Sequence, residues 1–290
     1  TVKGKTVTIA LNGKLVIPGA TIPSIPDRGR LAFQHHGSKK DGAWAGPPSL
    51  VQFKNVYLKR LDEPASKIAK VKVLLITGGH DHDASFYGLF RDYDELDRLP
   101  VVTSATAFQR DIRGKYDVVI MYDFTRELDE PARKNLRDFV EAGGGVVVLH
   151  HALLNYQSWS WWDDEVVGGS YRLSREGHTT SSTVKDDQQI DVTPAGDHPV
   201  TAGLGPFRIR DEAYKNMRMS PKIRPLLTTD NPASDRTLAW VGPLAGSRVV
   251  AIQLGHGPSA FRNPSYRALV HNAVLWAAGK TGSGEGGRSR

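Results

Sequence analysis

Five of the ten histidines in this 290-residue chain stand directly after apolar runs that read as β-strands. The run 72–77 stops at Gly78-Gly79-His80-Asp81-His82-Asp83. The run 146–149 stops at His150-His151, and the run 248–254 stops at Gly255-His256. In an open α/β sheet, ligands bind in the crevice beyond the carboxyl ends of the strands. These histidines can therefore share one site. Histidine changes charge near neutral pH and is the commonest metal ligand, so the chemistry implied is proton transfer or cation binding.

Each motif also has a purely structural use. The segment 78–83 serves equally as a tight strand-to-helix turn capped by Asp83; it lacks the G-x-G-x-x-G of a dinucleotide loop. His150-His151 occupies the place of a nucleophile elbow. Adjacent residues at a strand end point to opposite sides, so only one of the two is expected to face the crevice. His256, between two glycines, adds nothing to packing and has the strongest single-residue case. Asp211-Glu212-x-Tyr214 offers carboxylates and a phenol that could orient an imidazole or ligate a metal. The same residues could be surface charge in an irregular loop. Asn155, Tyr156, Trp159, Trp161 and Trp162 could form a sugar-stacking wall or ordinary core, and His198 before Pro199 reads as a turn residue.

The elements that must position these groups fall into two blocks. Residues 1–62 read as all-β: a strand from Val2 to Ile9, an Asn12-Gly13 hairpin turn, and 15–17 before Pro18 breaks the pattern. Further strands are expected at 29–34 and 51–58, with a Gly/Pro-rich loop at 37–48 between them. So few strands leave open edges, and this block is expected to pack on another part of the protein or another chain. Residues 63–70 read as a linker. From 71 to 280 strands alternate with helices, the signature of an α/β layer architecture. Strands are expected at 72–77, 118–122, 146–149, 238–241 and 248–254. Helices are expected near 84–91, at 130–142 with Asp129 as cap, and at 264–278. The Gly/Ser/Arg-rich tail 281–290 reads as disordered.

Composition narrows the function. Without cysteine there can be no disulfide, thiolate zinc site or cysteine nucleophile in this chain. The net charge of +7 is concentrated in residues 1–60, where ten Lys/Arg face two acids, so the rest is about neutral. The basic residues are scattered and no nucleic-acid motif accompanies them, which argues against a nucleic-acid partner. No apolar run approaches the ~20 residues of a membrane span, and no signal-peptide core follows Thr1. A leader already removed, or a start inside a longer protein, is the expectation.

Residues 71–279 resemble the trehalose-utilisation (ThuA-like) family. The resemblance is carried by eight pieces in order: 77–80, 116–123, 143–150, 168–171, His198-Pro199-Val200-Thr201-x-Gly203-Leu204, 211–214, 254–256 and Trp276-Ala277-Ala278-Gly279. It implies a three-layer, flavodoxin-like or class I glutamine-amidotransferase-like sheet with helices on both faces. Residues 29–37 and 51–61 resemble the C-terminal part of a 3-keto-disaccharide hydrolase domain, a lectin-like β-sandwich, so the first block is expected to be a partial sandwich. Together the resemblances imply carbohydrate catabolism on a disaccharide or its 3-keto derivative, by a hydrolase, lyase or isomerase using histidine-assisted proton transfer. Glutamine chemistry is not implied, because no cysteine is present. The alternative is a non-catalytic carbohydrate-binding or scaffolding module. The expected catalytic residues are His150, His256 and Glu212. His80, His82, Asp123, His151, Tyr156, Trp159 and Tyr214 are expected to contact a small saccharide. The sequence assigns no cofactor, and a divalent metal (zinc, manganese or nickel) on His80, His150 and His256 stays open. A homo-oligomer, or an upstream part of the sandwich, is the other partner expected. A periplasmic or secreted location is favoured over a cytoplasmic one.

Overall fold

The computed structural model describes residues 2–11, 14–24, 38–40, 43–45, 70–90, 93, 95–101, 103–173 and 181–280. The chain divides into two compact units, residues 1–65 and 66–290.

In the first unit, β1 (Val2–Lys3), β2 (Thr6–Leu11) and β3 (Lys14–Thr21) form an antiparallel sheet in that order. Leu11 pairs with Lys14, the register that a two-residue Asn12-Gly13 turn demands. Pro18 does not end the strand as expected. β3 is an edge strand, and Pro18 sits where the ladder slips between the Ile9–Ile17 and Val7–Ala20 pairs, so its missing N–H costs no ladder bond. The segment expected as loop carries a second short hairpin, β4 (Ser38–Lys40) with β5 (Ala43–Ala45). Val2, Ile9, Leu15, Val16 and Ile22 are exposed. The strands expected at 29–34 and 51–58, and the tail 281–290, lie outside the described residues.

The second unit begins with β6 (Val71–Gly78), a 3-10 helix (Ala84–Phe90) where a helix was expected, β7 (Leu96–Val101) and α1 (Ser104–Ala107). β8 (Val118–Asp123), α2 (Glu130–Glu141) and β9 (Gly145–Leu149) follow. Next come β10 (Gly169–Ser170), β11 (Thr183–Pro194), β12 (Phe207–Lys215) and β13 (Arg218–Met219). The unit closes with β14 (Arg224–Thr228), β15 (Thr237–Val241), β16 (Val249–Ile252), α3 (Pro258–Arg262) and α4 (Pro264–Ala277).

Nine of these strands make one sheet, ordered β12-β11-β14-β15-β16-β9-β8-β6-β7. β7, β6, β8, β9 and β16 are parallel. Taken in chain order they run 2-1-3-4-5, the flavodoxin-like order. Four antiparallel strands extend this block beyond β16; β11, β12 and β14 had not been expected. β8, β9, β16 and most of β6 are buried on both faces because helices cover both. Val73 and Leu75 pack with the 3-10 helix 84–90, α3 and α4. Leu74 and Ile76 pack with α2 and the aromatic segment that follows β9. Each fully buried Val, Leu or Ile contributes roughly 1.5–3 kcal/mol. The result is a three-layer α/β unit.

Caps fix where the helices begin. The Asp129 side chain accepts from the Ala132 N–H, with Pro131 in the first turn, and α2 buries Ala132, Leu136, Phe139 and Val140. Asn263 caps α4 in the same way. Since β6, β8, β9 and β16 run parallel, their carboxyl ends open on one edge. The register pairs Gly78 with Asp123 and Ile252 with Leu149, so the segments starting at Gly79, His150 and Gln253 leave the sheet side by side. Among the described residues no helix is long and apolar enough to cross a membrane.

Candidate active site

β9 ends at Leu149, and the chain turns at once into a 3-10 helix, His150–Leu154. His150 enters that turn with φ +44°, a left-handed backbone that costs a non-glycine residue free energy. The strand alternation is therefore broken between the two histidines. Instead of pointing apart, as extended backbone would require, both rings reach the same crevice, with centroids 4.5 Å apart.

His150 is fully buried. Its Nδ1 lies 2.6 Å from the Gln253 carbonyl oxygen, which can only accept, so Nδ1 carries the proton. Nε2 then faces the Tyr214 hydroxyl at 2.8 Å and Glu212 Oε2 at 3.1 Å. The Tyr214 ring stacks on the imidazole at 4.6 Å. Gln253 is itself fixed, donating to the Tyr214 carbonyl at 2.8 Å and accepting from Ser234 at 3.1 Å.

Glu212 and Tyr214 lie on β12, not in a loop. β11 carries an irregularity opposite them: Lys185 pairs with Ala213 and Gln188 with Asp211, leaving Asp186 and Asp187 against Glu212. Such a bulge re-aims side chains. The Glu212 carboxylate spans two rings, since Oε1 lies 2.5 Å from His256 Nδ1 while Oε2 faces His150. Burial raises the proton affinity of Glu212, but its contacts with the imidazoles of His150 and His256 more than offset it and hold the carboxyl well below the usual range. The hydrogen bond to Glu212 raises the pKa of the exposed His256 above 6.5. Asp186 is likewise raised, by its hydrogen bond to Glu212.

Asp211 sets the backbone of this histidine. Its buried carboxylate accepts from the N–H of Gly255 at 2.6 Å, His256 at 2.9 Å and Glu212 at 3.0 Å. Gly255 adopts φ +120° against the Tyr266 hydroxyl, leaving no space for a Cβ. From the other side, the Tyr122 hydroxyl bonds the carbonyls of Gly255 and His256, both at 3.0 Å.

His151 packs against His80 with ring centroids 3.8 Å apart. Burial, reinforced by the neighbouring His150, His80 and His256, pulls the His151 pKa down to about 2, so the ring is neutral. His80 donates Nδ1–H to the Asp81 carbonyl at 2.8 Å. Two ring nitrogens, His80 Nε2 and His151 Nδ1, are buried with no hydrogen-bond partner. His82 sits at the rim, near the Tyr87 hydroxyl and the rings of His80 and Tyr122. One ligand atom each from His150, His151, Glu212 and His256 lies within 4.8 Å of all the others.

The trehalose utilisation family model matches residues 72–277, the whole of this framework. The chain belongs to the trehalose utilisation (ThuA) family. That membership ties it to carbohydrate utilisation. A ThuA-like protein from Parabacteroides merdae superposes with a TM-score of 0.63 at 20% identity, over 72% of this chain and 90% of that one. A ThuA-like protein from Bacteroides uniformis gives 0.58 at 20%, over 74% and 94%. A cytoplasmic protein from Salmonella typhimurium gives 0.51 at 15%, over 71% and 99%. At these identities the likeness is one of fold. No curated protein matches the chain.

Within the ThuA unit, three residues expected to touch a saccharide have other work. Asp123 is fully buried and accepts from the Ser104 hydroxyl at 2.6 Å, the Thr125 hydroxyl at 2.8 Å and Asn155 Nδ2 at 2.9 Å. It ties β8 to α1 and to the turn after β9. Tyr156 is fully buried, and Trp159 is only 6% exposed. They pack with Trp161 and Trp162, under the Arg133 and Arg137 side chains, as core. His80 stands outside the four-residue ligand group, and His151 takes the place expected for it. The supporting roles of Asp186, Gln253 and Tyr122 were missed; only the strand-end positions of Tyr122 and Gln253 could have signalled them.

Proposed function

We propose that this chain is a sugar-active enzyme of disaccharide utilisation, working by proton transfer at the His150–Glu212–His256 cluster. One observation carries the reading: a single carboxylate engages two imidazoles at the carboxyl edge of the sheet, one buried and one exposed. Glu212 accepts the Nδ1 proton of His256, which leaves Nε2 of that ring as the basic atom. When Nε2 takes a proton, the adjacent carboxylate stabilises the imidazolium, as the acid of a catalytic triad does. A raised histidine pKa suits a general base near neutral pH.

The substrate that best fits such a base is a disaccharide oxidised at C3. Its ketone acidifies the C2 hydrogen. His256 removes that proton and the bonding pair moves into the carbonyl, so a donor or cation must meet the developing oxyanion. The pair can then return to carbon and pick up a proton, or expel the glycosidic oxygen from C1. The family supports the carbohydrate; the 3-keto form rests on the likeness of residues 29–37 and 51–61 to a 3-keto-disaccharide hydrolase segment. A binding module would need an exposed aromatic wall, and the aromatic candidates Tyr156 and Trp159 are buried. The test is to assay disaccharides and their 3-keto derivatives with wild-type chain and His256→Ala. Turnover lost with sugar affinity kept supports the enzyme. Affinity without turnover in the wild type would contradict it.

A further inference from the structure

We infer that the inner half of this cluster is a site for one divalent transition-metal ion, held by His150 Nε2, His151 Nδ1 and Glu212 Oε2. His256 remains hydrogen-bonded to Glu212 Oε1 and faces outward. The inference deepens the proposed function, supplying the cation its oxyanion calls for, and shares with it the residues His150 and Glu212.

The geometry comes first. His150 Nε2 and Glu212 Oε2 are 3.1 Å apart, about the spacing of neighbouring ligands around an ion bound at ~2.1 Å. The ligand atoms of the group lie within 4.8 Å of one another, and about 4.2 Å is the widest span two such bonds cover, so closure needs a shift of a few tenths of an ångström.

The second observation is the orphaned nitrogen. A buried polar atom without a partner is destabilising and uncommon in native proteins. His151 Nδ1 is such an atom, on a residue that offers one ring nitrogen to the cluster. An ion satisfies it, whereas a purely hydrogen-bonded cluster leaves it unmet.

Third, His150 carries the support that metal-bound histidines have. Its far nitrogen donates to a backbone carbonyl, and that carbonyl belongs to a residue locked by two side-chain hydrogen bonds. This fixes the tautomer that leaves Nε2 free to bind. Tyr214 competes for the same lone pair; on loading, its hydroxyl must turn to Glu212 or to a water on the ion. Two imidazoles and one carboxylate suit zinc, nickel or manganese better than magnesium or calcium. Three protein ligands leave positions open for a sugar oxygen, the pattern of a catalytic rather than a structural site.

The experiment is calorimetric titration of the chelator-stripped full chain with zinc chloride, with nickel and manganese chlorides as further probes. One ion per chain with Kd below about 1 µM is expected. His151→Ala and Glu212→Gln should each weaken it about 100-fold, and His256→Ala should leave it within a few-fold. Should His151→Ala fail to fold by circular dichroism, X-ray absorption of the zinc-loaded wild type decides, with scattering from two imidazoles expected. Absence of saturable binding by all three ions overturns the inference. So does binding that survives His151→Ala, that is lost with His256→Ala, or whose spectrum lacks two imidazoles. No sugar enters the readout, so an ion bound without turnover would contradict only the proposed function.

Discussion

Glu212 Oε1 and Nδ1 of His256 lie 2.5 Å apart across 44 residues of sequence, a contact set on the backbone by the residue next to each partner. Asp211 holds the Gly255 and His256 amides, so carboxylate and imidazole are delivered by β12 and by the segment after β16, tied to each other by these hydrogen bonds. A side chain pre-positioned in this way needs little reorganisation to accept a proton.

Replacing Glu212 with Gln removes the charge that stabilises His256 in its protonated form. kcat on the proposed 3-keto substrate should fall about 10²–10⁴-fold, with sugar affinity changed much less. The pKa of His256, followed by NMR of its ring protons in the metal-free chain, should drop toward 6.5, since the Glu212 hydrogen bond is what raises it.

Tyr214→Phe deletes the hydroxyl at His150 Nε2 and keeps the stacked ring. A loss of about 1 kcal/mol in urea unfolding is expected, the usual worth of one hydrogen bond. A loss several times larger would mean that the phenol carries more of the cluster than one contact.

Asp123→Ala should act on stability and not on sugar recognition. Donors on Ser104, Thr125 and Asn155 lose their acceptor in a buried setting, at a cost of about 3 kcal/mol or more. Urea unfolding gives the loss, and sugar affinity measured on the folded fraction should match wild type.

Four of the five parallel strands were legible because strands buried on both faces read as apolar runs, as 73–76, 118–122 and 145–149 do. The fifth, β7, was not, because Asp97, Arg98 and Pro100 interrupt its run. Asp129 and Asn263 mark helix starts by the chemistry of an N-cap. The antiparallel extension was not legible. β11 is mostly exposed and polar, and its bulge breaks the alternation that identifies a half-buried strand. The convergence of His150 and His151 depends on a left-handed backbone at His150, which no residue type there announces. Tyr156 and Trp159 show a different limit: aromatic residues serve a sugar wall and a core equally well, and only burial separates the two.

Asp163 gives a pH-dependent signature of its own. Burial raises its carboxyl to about 7, even with Arg172 Nη2 at 3.3 Å, against 3.8 for the free group. Between those values the unfolded chain has released a proton that the folded chain still holds, so this residue's contribution to stability falls as pH rises from about 4 to about 7. Below that window both states are protonated, and above it both are ionised. Unfolding wild type and Asp163→Asn at a series of pH values should show wild type losing stability relative to the variant through this range. A constant difference would contradict the assignment.

The central claim is that His256, aligned by Glu212, removes a proton from carbon beside a ketone. The most direct measurement is hydrogen–deuterium exchange at C2 of a 3-keto disaccharide in D2O, followed by NMR. Wild-type chain should wash deuterium into C2 well above the buffer rate. His256→Ala should bind the sugar but exchange at least about 10²-fold more slowly. Exchange at the wild-type rate in His256→Ala, or none in the wild type while the sugar is bound, would contradict the account.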